Sequence, residues 1–381
     1  MLMYGKTLKR IIFIMWILFV ITFTVSGSFG AEPLKIGITT ALTGANAVMG
    51  RSIREGAEMA TAEINAAGGV DGREVITLIS DDRVIPAEGV SNALRYITKD
   101  KVSVLMTTTG SSVTMAVMPL AEQNKIPLIT PAGTADMITQ KGNKWVFQAC
   151  PNNTDTIIRQ VDYIATQIKP KPRTAAMVWE NTDYGVNMLN ILPKLLAKYD
   201  IKVVANVSYM QDSTEYYSEL TKLKAANPDV VFFLGKYTDN GLLVKQAREI
   251  GLKAEYTGGN TWVIEEFLKI AGVAANNGTY PSFFEISIVT PKAQAFVDNY
   301  RTKYGRDPDW LAASSYDSIY IVADAVKRAK SVDPVAIRDA IATTKNLEGV
   351  SGSTTFDENG HTLRKVLMTK IIDGKRVVQD F

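Results

Sequence analysis

The segment 102–136 most constrains the fold, because it repeats one pattern twice: an apolar strand followed by small polar residues where a helix should begin. The first strand, Val102–Met106, ends at Gly110-Ser111-Ser112, and a helical segment follows it. The second strand, Ile126–Ile129, ends at Thr130-Pro131-Ala132-Gly133-Thr134. Alternating strands and helices predict a parallel sheet, and in such sheets ligands bind beyond the carboxyl ends of the strands.

The two turns carry the residue types that suit an anion. Ser111, Ser112 and Thr134 stand at predicted helix starts, where unpaired backbone N–H groups and a hydroxyl together favour a carboxylate. Serine and threonine are also ordinary helix caps, so a purely structural role is the alternative. Because the turns follow neighbouring strands, we expect both to face one crevice.

The first 30 residues have the organisation of a secretory signal peptide. Three basic residues precede the apolar run Ile11–Val25, and small residues lead to a predicted cleavage after Gly30 or Ala31. The run is shorter than the roughly 20 residues of a membrane span, which makes an uncleaved anchor the weaker alternative. No cysteine lies near the cleavage point, so lipid attachment is not expected. The sequence therefore predicts an exported protein.

Removing residues 1–30 removes three of the 42 basic residues and no acidic residue, which leaves 39 basic against 39 acidic residues. A neutral chain gives no support for nucleic acid or an acidic membrane as a partner. The remaining 351 residues, from the 381 of the full chain, suffice for two compact domains.

Cysteine and histidine each occur once, which limits the chemistry of the chain. Cys150 has no disulfide partner within the chain and is expected to be a small packed residue, and His361 a solvated turn residue. No metal cluster, cofactor motif, nucleophile–histidine pair or phosphate-binding loop is present in the sequence, which argues against an enzyme. A pair of catalytic carboxylates of the glycosidase kind stays open.

The strand–helix alternation pauses at 150–153 and then resumes, which predicts a second α/β domain. Three later helices, at 291–304, 310–330 and 334–344, have no strands between them, and we expect them to return to the first domain. Strands and hairpin turns are predicted for the tail. Two doubly wound α/β lobes with several short crossings predict a hinged pair that closes around a ligand.

The order and spacing of several motifs resemble the type I periplasmic solute-binding proteins, specifically the Leu/Ile/Val-binding group that serves ABC importers. The motifs are Lys35-Ile36-Gly37-Ile38 to Leu42-Thr43-Gly44, Glu63 to Val70 with Gly72, Asp81-Asp82, the two turns above, Tyr184-Gly185, and Phe356-Asp357 with Gly360. The resemblance covers 33–381. It implies three crossovers, a first lobe of 32–149 plus 286–351, and a second lobe of 150–285 plus 352–381.

The resemblance also implies roles for single residues. Ser111 and Thr134 would bind the ligand carboxylate, the Ala132 carbonyl would accept a hydrogen bond from the ligand, and Tyr184 would close over it from the second lobe. Met49 stands where the family often has an aromatic residue. The implied partners are a small carboxylate ligand and a membrane ABC permease, with the chain itself a monomer and no cofactor.

Two positions depart from the family pattern. Asn260 stands where amino-acid binders carry a carboxylate for the ligand's α-ammonium, and Lys236, beside Tyr237, stands where a tyrosine is usual. Burying an ammonium without an anion costs on the order of several kcal/mol. Both departures favour an organic or aromatic acid over an amino acid, with Tyr237, Trp262 and Met49 as apolar walls.

Other interpretations stay open. If the correspondence shifts by one residue, Glu265 or Asp239 supplies the carboxylate and a branched-chain amino acid is the ligand. Each of the following residues also has a purely structural alternative. Tyr184 and Trp262 could be packed aromatic residues, the Lys236 side chain could extend into solvent, and Asn260 could cap a helix. A ligand sensor that docks on a membrane receptor would use the same fold and pocket as an import protein.

Overall fold

The computed structural model describes residues 31–108, 110–140, 142–210, 213–287 and 290–379. The predicted signal peptide lies outside these residues. Within them, no helix combines the length and the apolar character needed to cross a membrane.

The first lobe is built on a parallel sheet of five strands in the order β2-β1-β3-β4-β5. The strands are β1 Leu34–Thr40, β2 Val75–Asp81, β3 Val104–Thr107, β4 Leu128–Thr130 and β5 Val146–Gln148. The helices between them are α1 Ala47–Ala66, α2 Pro86–Arg95 and α3 Ser111–Asn124. Strands β1, β3 and β4 are buried on both faces, which explains their nearly continuous apolar sequences.

The second lobe repeats the alternation around a seven-stranded sheet. Its helices are α4 Asn153–Gln167, α5 Asp183–Ala197, α6 Tyr217–Ala225, α7 Tyr237–Glu249 and α8 Glu265–Ala271. Its parallel strands are β6 Thr174–Glu180, β7 Lys202–Tyr209, β8 Val230–Leu234, β9 Glu255–Gly258 and β10 Thr279–Ser282. The chain returns to this sheet at its end, where two antiparallel strands extend the edge next to β10.

Three helices follow β10 and pack on the first lobe, as the sequence predicts. They are α9 Pro291–Tyr304, α10 Trp310–Ala329 and α11 Pro334–Ala342. The Ser315 hydroxyl donates to the Ile53 carbonyl of α1 at 2.8 Å, and a Cβ on Gly56 would lie 2.2 Å from the Ala312 carbonyl oxygen. Glycine therefore allows α1 and α10 to approach each other closely.

A short ribbon precedes the return to the second lobe. Strands β11 Leu347–Glu348 and β12 Ser353–Thr354 pair with each other, and β13 Leu367–Ile372 and β14 Lys375–Gln379 then complete the second sheet. The lobe boundary expected between residues 351 and 352 falls inside this ribbon. Phe356 donates its N–H to the Thr344 carbonyl, so the chain is still in contact with first-lobe elements there.

Candidate functional site

A cavity lies between the lobes at the carboxyl ends of strands from both sheets. Lobe 1 contributes the turns after β2, β3 and β4 and the starts of α1 and α10. Lobe 2 contributes the segments that follow β6, β8 and β9. The centre of a water molecule can occupy about 90 Å³ of this space. At roughly 10–15 Å³ for each water, the cavity is large enough for several waters or one small organic molecule.

The lobe 1 wall contains the two turns that the sequence singles out. Ser111 is the first residue of α3 and follows Gly110, whose φ of 130° favours glycine. The Ser111 hydroxyl accepts the Ala135 N–H at 3.1 Å and so joins the turn after β3 to the turn after β4. Thr134 and Ala132, on the second turn, also line the cavity. The first N–H groups of α3 have no partner within the helix, so this wall suits an anion.

Ser112 has a different role from its neighbour. It lines the cavity, but its hydroxyl donates to Asp183 of lobe 2 at 2.6 Å. Another contact between the lobes joins Arg51 to Glu266 at 3.8 Å. The structure therefore describes a closed arrangement of the two lobes, in which Ser112 helps to hold the closure.

The lobe 2 wall includes Tyr184, Lys236 and Asn260, all three predicted from the sequence. Tyr184 lies in the first turn of α5, and a Cβ on Gly259 would lie 2.7 Å from its hydroxyl oxygen. Burial, followed by the nearby Glu180 charge, raises the pKa of Tyr184 above its usual value, so the hydroxyl stays protonated and can donate. Asn260 makes no side-chain cap: it begins a 3₁₀ turn whose N-cap is Gly259.

Glu180, which the sequence patterns do not single out, also belongs to the cavity wall. It is the last residue of β6, is 2% exposed and lines the cavity. Its Oε1 lies 3.4 Å from Lys236 Nζ, and both side chains are largely buried. Lys236 therefore has an anionic partner within the protein, and its side chain does not extend into solvent. The position of Glu180 at the end of a predicted strand is a sequence signal for this role, because ligands bind beyond the carboxyl ends of parallel strands.

The two carboxylates considered as alternatives lie away from the cavity. Glu265 is exposed and pairs with Lys269 at 3.0 Å, whereas Asp239 is buried but is not on the wall. Among the described residues that line the cavity, Glu180 is the only carboxylate. The wall of lobe 2 consequently presents a paired negative and positive charge.

The structure places Trp262 and Tyr237 away from the cavity wall, unlike the apolar walls expected from the sequence. Trp262 is fully buried in lobe 2, with its ring stacked on Phe267 at 4.4 Å between centroids. Tyr237 is 3% exposed and donates its hydroxyl to the Ala45 carbonyl of lobe 1 at 2.7 Å. Burial raises the pKa of Tyr237 to about 12, so this contact between the lobes persists over the physiological range.

Three residues of lobe 1 form the apolar surface of the cavity instead. Met49 lines it as predicted, together with Val84 and Trp310. Trp310 was not predicted as a site residue. It is the first residue of α10, in the segment that returns to lobe 1 from β10, and its sequence neighbours give no signal for a role at a ligand site.

Cys150 is fully buried, and burial raises the pKa of its thiol to about 12, in keeping with a packed residue. The expectation for His361 is wrong. It is 6% exposed, and its Nε2 lies 2.7 Å from Asp155 Oδ2. It is buried because its strand segment pairs with Gln148 of β5. No group of three potential metal ligands occurs within the described ranges.

Comparisons with known proteins agree with this architecture. The periplasmic binding protein family model matches residues 33–376. The leucine-, isoleucine-, valine-, threonine- and alanine-binding protein of Pseudomonas aeruginosa is 30% identical over 340 residues, 88% of either chain. The isoleucine complex of the branched-chain amino acid substrate-binding protein of Streptococcus pneumoniae is 31% identical, with a TM-score of 0.83 over 91% of this chain and 100% of that one.

A solute-binding protein of R. palustris, solved in complex with benzoate, shares the fold at 21% identity, with a TM-score of 0.81 over 91% of this chain and 95% of that one. The chain belongs to the periplasmic binding protein family, and its fold is that of the type I solute-binding proteins of ABC transporters. Members of this family are binding proteins of transporters rather than enzymes.

Proposed function

We propose that this chain is the periplasmic substrate-binding protein of a branched-chain-amino-acid-type ABC importer and that it closes its lobes on a small carboxylate. The observation that carries the proposal is the lobe 1 wall. Ser111, at the start of α3, is tied to the turn of Thr134, so backbone N–H groups and hydroxyls converge on one place in the cavity. The protein acts as a monomer and delivers its ligand to a membrane permease.

Closure depends on contacts that the ligand makes with both lobes. A ligand shifts an equilibrium only by its differential affinity for the two states, so binding to lobe 1 alone would not favour the closed form. Tyr184 and Lys236 supply the additional contacts from lobe 2. A carboxylate held by Ser111 and Thr134 thereby draws the two walls together.

The ion pair of lobe 2 favours an acid without an α-ammonium. An ammonium placed in the cavity needs the Glu180 carboxylate, which already pairs with Lys236 at 3.4 Å. The two buried cations would then share this one carboxylate and repel each other, which is costly. The benzoate complex of the R. palustris protein supports an organic acid. The isoleucine complex and the amino-acid-binding relative support the alternative, a branched-chain amino acid.

A thermal-shift screen of the mature protein, refolded to remove carried-over ligand, tests this proposal. The panel sets leucine, isoleucine, valine and phenylalanine against benzoate, cinnamate-type acids, 2-oxo acids and dicarboxylates. A ligand at about 100 times its Kd stabilises the folded state by about 2.7 kcal/mol. We expect the monocarboxylic acids to raise the Tm and the amino acids to leave it unchanged. A shift with leucine or valine alone would establish the alternative, and turnover of a ligand would contradict a binding protein.

A further inference from the structure

Two polar atoms on the lobe 1 wall are buried and have no hydrogen-bond partner. They are Asn46 Oδ1 and Trp310 Nε1, in residues that are 6% and 2% exposed. Both residues line the cavity, and no other described residue on its wall has an atom of this kind. Buried polar groups are nearly always paired, so an unpaired acceptor and an unpaired donor beside an empty space require an explanation.

Asn46 stands where its side chain would ordinarily cap a helix. It is the N-cap residue of α1, yet its side chain makes no capping hydrogen bond. Asparagine is among the most favoured N-cap residues because its oxygen accepts an N–H of the first helical turn. Here that contact is absent, and the residue lines the cavity instead.

Trp310 provides the complementary group. An indole N–H donates and cannot accept, and a buried tryptophan usually has a partner for it. The ring of Trp310 packs edge-on against Phe283, with 4.9 Å between centroids, which fixes the side chain at the start of α10. Trp262 also has an unpaired Nε1, but it lies in the lobe 2 core and away from the cavity. This difference makes Trp262 a matched control.

We propose that the ligand carries a hydroxyl on its side chain, which donates to Asn46 and accepts from Trp310. A hydroxyl is the smallest group that does both. Closure of the lobes around an entirely apolar ligand side chain leaves both atoms buried and unpaired, and each unpaired atom weakens the complex by roughly tenfold or more. This inference rests on the proposed function, which places the ligand carboxylate at Ser111 and Thr134.

The lobe 1 surface beside these two residues favours apolar groups for the rest of the ligand side chain. Met49 lies in the first turn of α1, three residues after Asn46 in the sequence, and lines the same cavity. Val84 and the ring of Trp310 extend this apolar surface. The ligand class is therefore a hydroxylated aliphatic or aromatic carboxylic acid with one polar group on an otherwise apolar body.

Calorimetric titration of the ligand-free mature protein with matched pairs tests the inference. In three pairs a hydroxyl replaces a hydrogen: benzoate and para-hydroxybenzoate, phenylacetate and para-hydroxyphenylacetate, isovalerate and beta-hydroxyisovalerate. In the fourth pair, valine and threonine, a hydroxyl replaces a methyl group. In the pair that binds most tightly, we expect the hydroxylated member to bind at least about tenfold tighter, because a site built for a hydroxyl rejects the analogue that lacks it. Equal or tighter binding of the non-hydroxylated member in every pair that binds would overturn the inference.

Variants then assign the preference to the two residues. Asn46→Leu and Trp310→Phe should each reduce the hydroxyl preference by about tenfold, while Trp262→Phe should keep it. A preference that survives both of the first two variants would overturn the assignment, and melting curves check that each variant is folded. If no member of any pair binds, the carboxylate site itself fails and this inference fails with it. Binding without hydroxyl preference removes this inference alone.

Discussion

The two walls of the cavity hold their polar groups in different ways. Lobe 1 uses backbone N–H groups and hydroxyls from turns that directly follow β3 and β4, and these turns are joined through Ser111 and Ala135. Lobe 2 uses side-chain charges, Glu180 from the end of β6 and Lys236 from the turn after its neighbour β8. The first wall is a local property of strand–turn–helix units, whereas the second depends on which strands are neighbours.

We expect the lobe 1 wall to bind the carboxylate group of a ligand and the lobe 2 wall to select among ligands by the charge of their remaining groups. On the proposed function, the N-terminus of α3 would accept any carboxylate, since the helix dipole and free N–H groups do not depend on the rest of the ligand. The Glu180–Lys236 pair is sensitive to the charge of the remainder of the ligand. Substitutions on the two walls should therefore have different consequences.

The largest effect is expected when the charge pair of lobe 2 is broken. Lys236→Met leaves Glu180 without its cation in a largely buried position, and we expect a loss of about 3 kcal/mol in the free energy of unfolding. The double variant with Glu180→Gln removes both charges and should recover most of this loss. Chemical denaturation of both variants and the wild type measures the difference. If Lys236→Met is as stable as the wild type, the two charges do not stabilise each other in the folded protein.

A smaller effect, on binding, is expected at lobe 1. Thr134→Ala removes a hydroxyl from the turn after β4. We expect it to reduce the binding free energy of every carboxylate ligand by about 1.5–3 kcal/mol, the usual range for a hydrogen bond to a charged group. Thr134→Ser keeps the hydroxyl and should bind within a few-fold of wild type. Titration calorimetry with one amino acid and one organic acid makes the comparison. Unchanged affinity in the alanine variant would remove this residue from the site.

The smallest effect is expected for the closure contact. Ser112→Ala removes the exposed hydrogen bond to Asp183, worth about 0.5–1.5 kcal/mol, and should lower the fraction of closed protein. Small-angle scattering with and without ligand measures that fraction. Tyr184→Ala should lower it as well, because the ligand loses a contact with lobe 2. Ser112→Ala profiles identical to wild type would assign closure to other contacts.

The sequence predicts lobe 1 better than lobe 2 for a physical reason. Ser111, Ala132 and Thr134 follow buried strands directly, so the periodicity of the chain places them at the crevice without knowledge of the tertiary structure. The contact between Glu180 and Lys236 joins residues far apart in the sequence and appears only once β6 and β8 are neighbours.

Two residues lie in surroundings that the sequence does not predict, because the direction of a side chain depends on the tertiary structure. Trp262 follows a strand end, as do residues that line the cavity, but the 3₁₀ turn at Asn260–Val263 directs its ring into the core, where it stacks on Phe267. His361 lies in a turn-rich sequence, yet the return of the chain to β5 buries it beside Asp155. Neither turn geometry nor chain return can be read from the periodicity of apolar residues.

The preference for an acid without an α-ammonium is tested most directly by titrating the wild-type protein with acids that differ only in that group. Leucine is compared with 4-methylpentanoate, and phenylalanine with 3-phenylpropanoate, in ligand-free protein. Because Lys236 already pairs with Glu180, we expect the acid without the ammonium to bind more tightly in each pair, and the difference in affinity to be smaller in Lys236→Met. Tighter binding of leucine or phenylalanine by the wild-type protein would contradict it and would mean that Glu180 serves the ligand rather than Lys236.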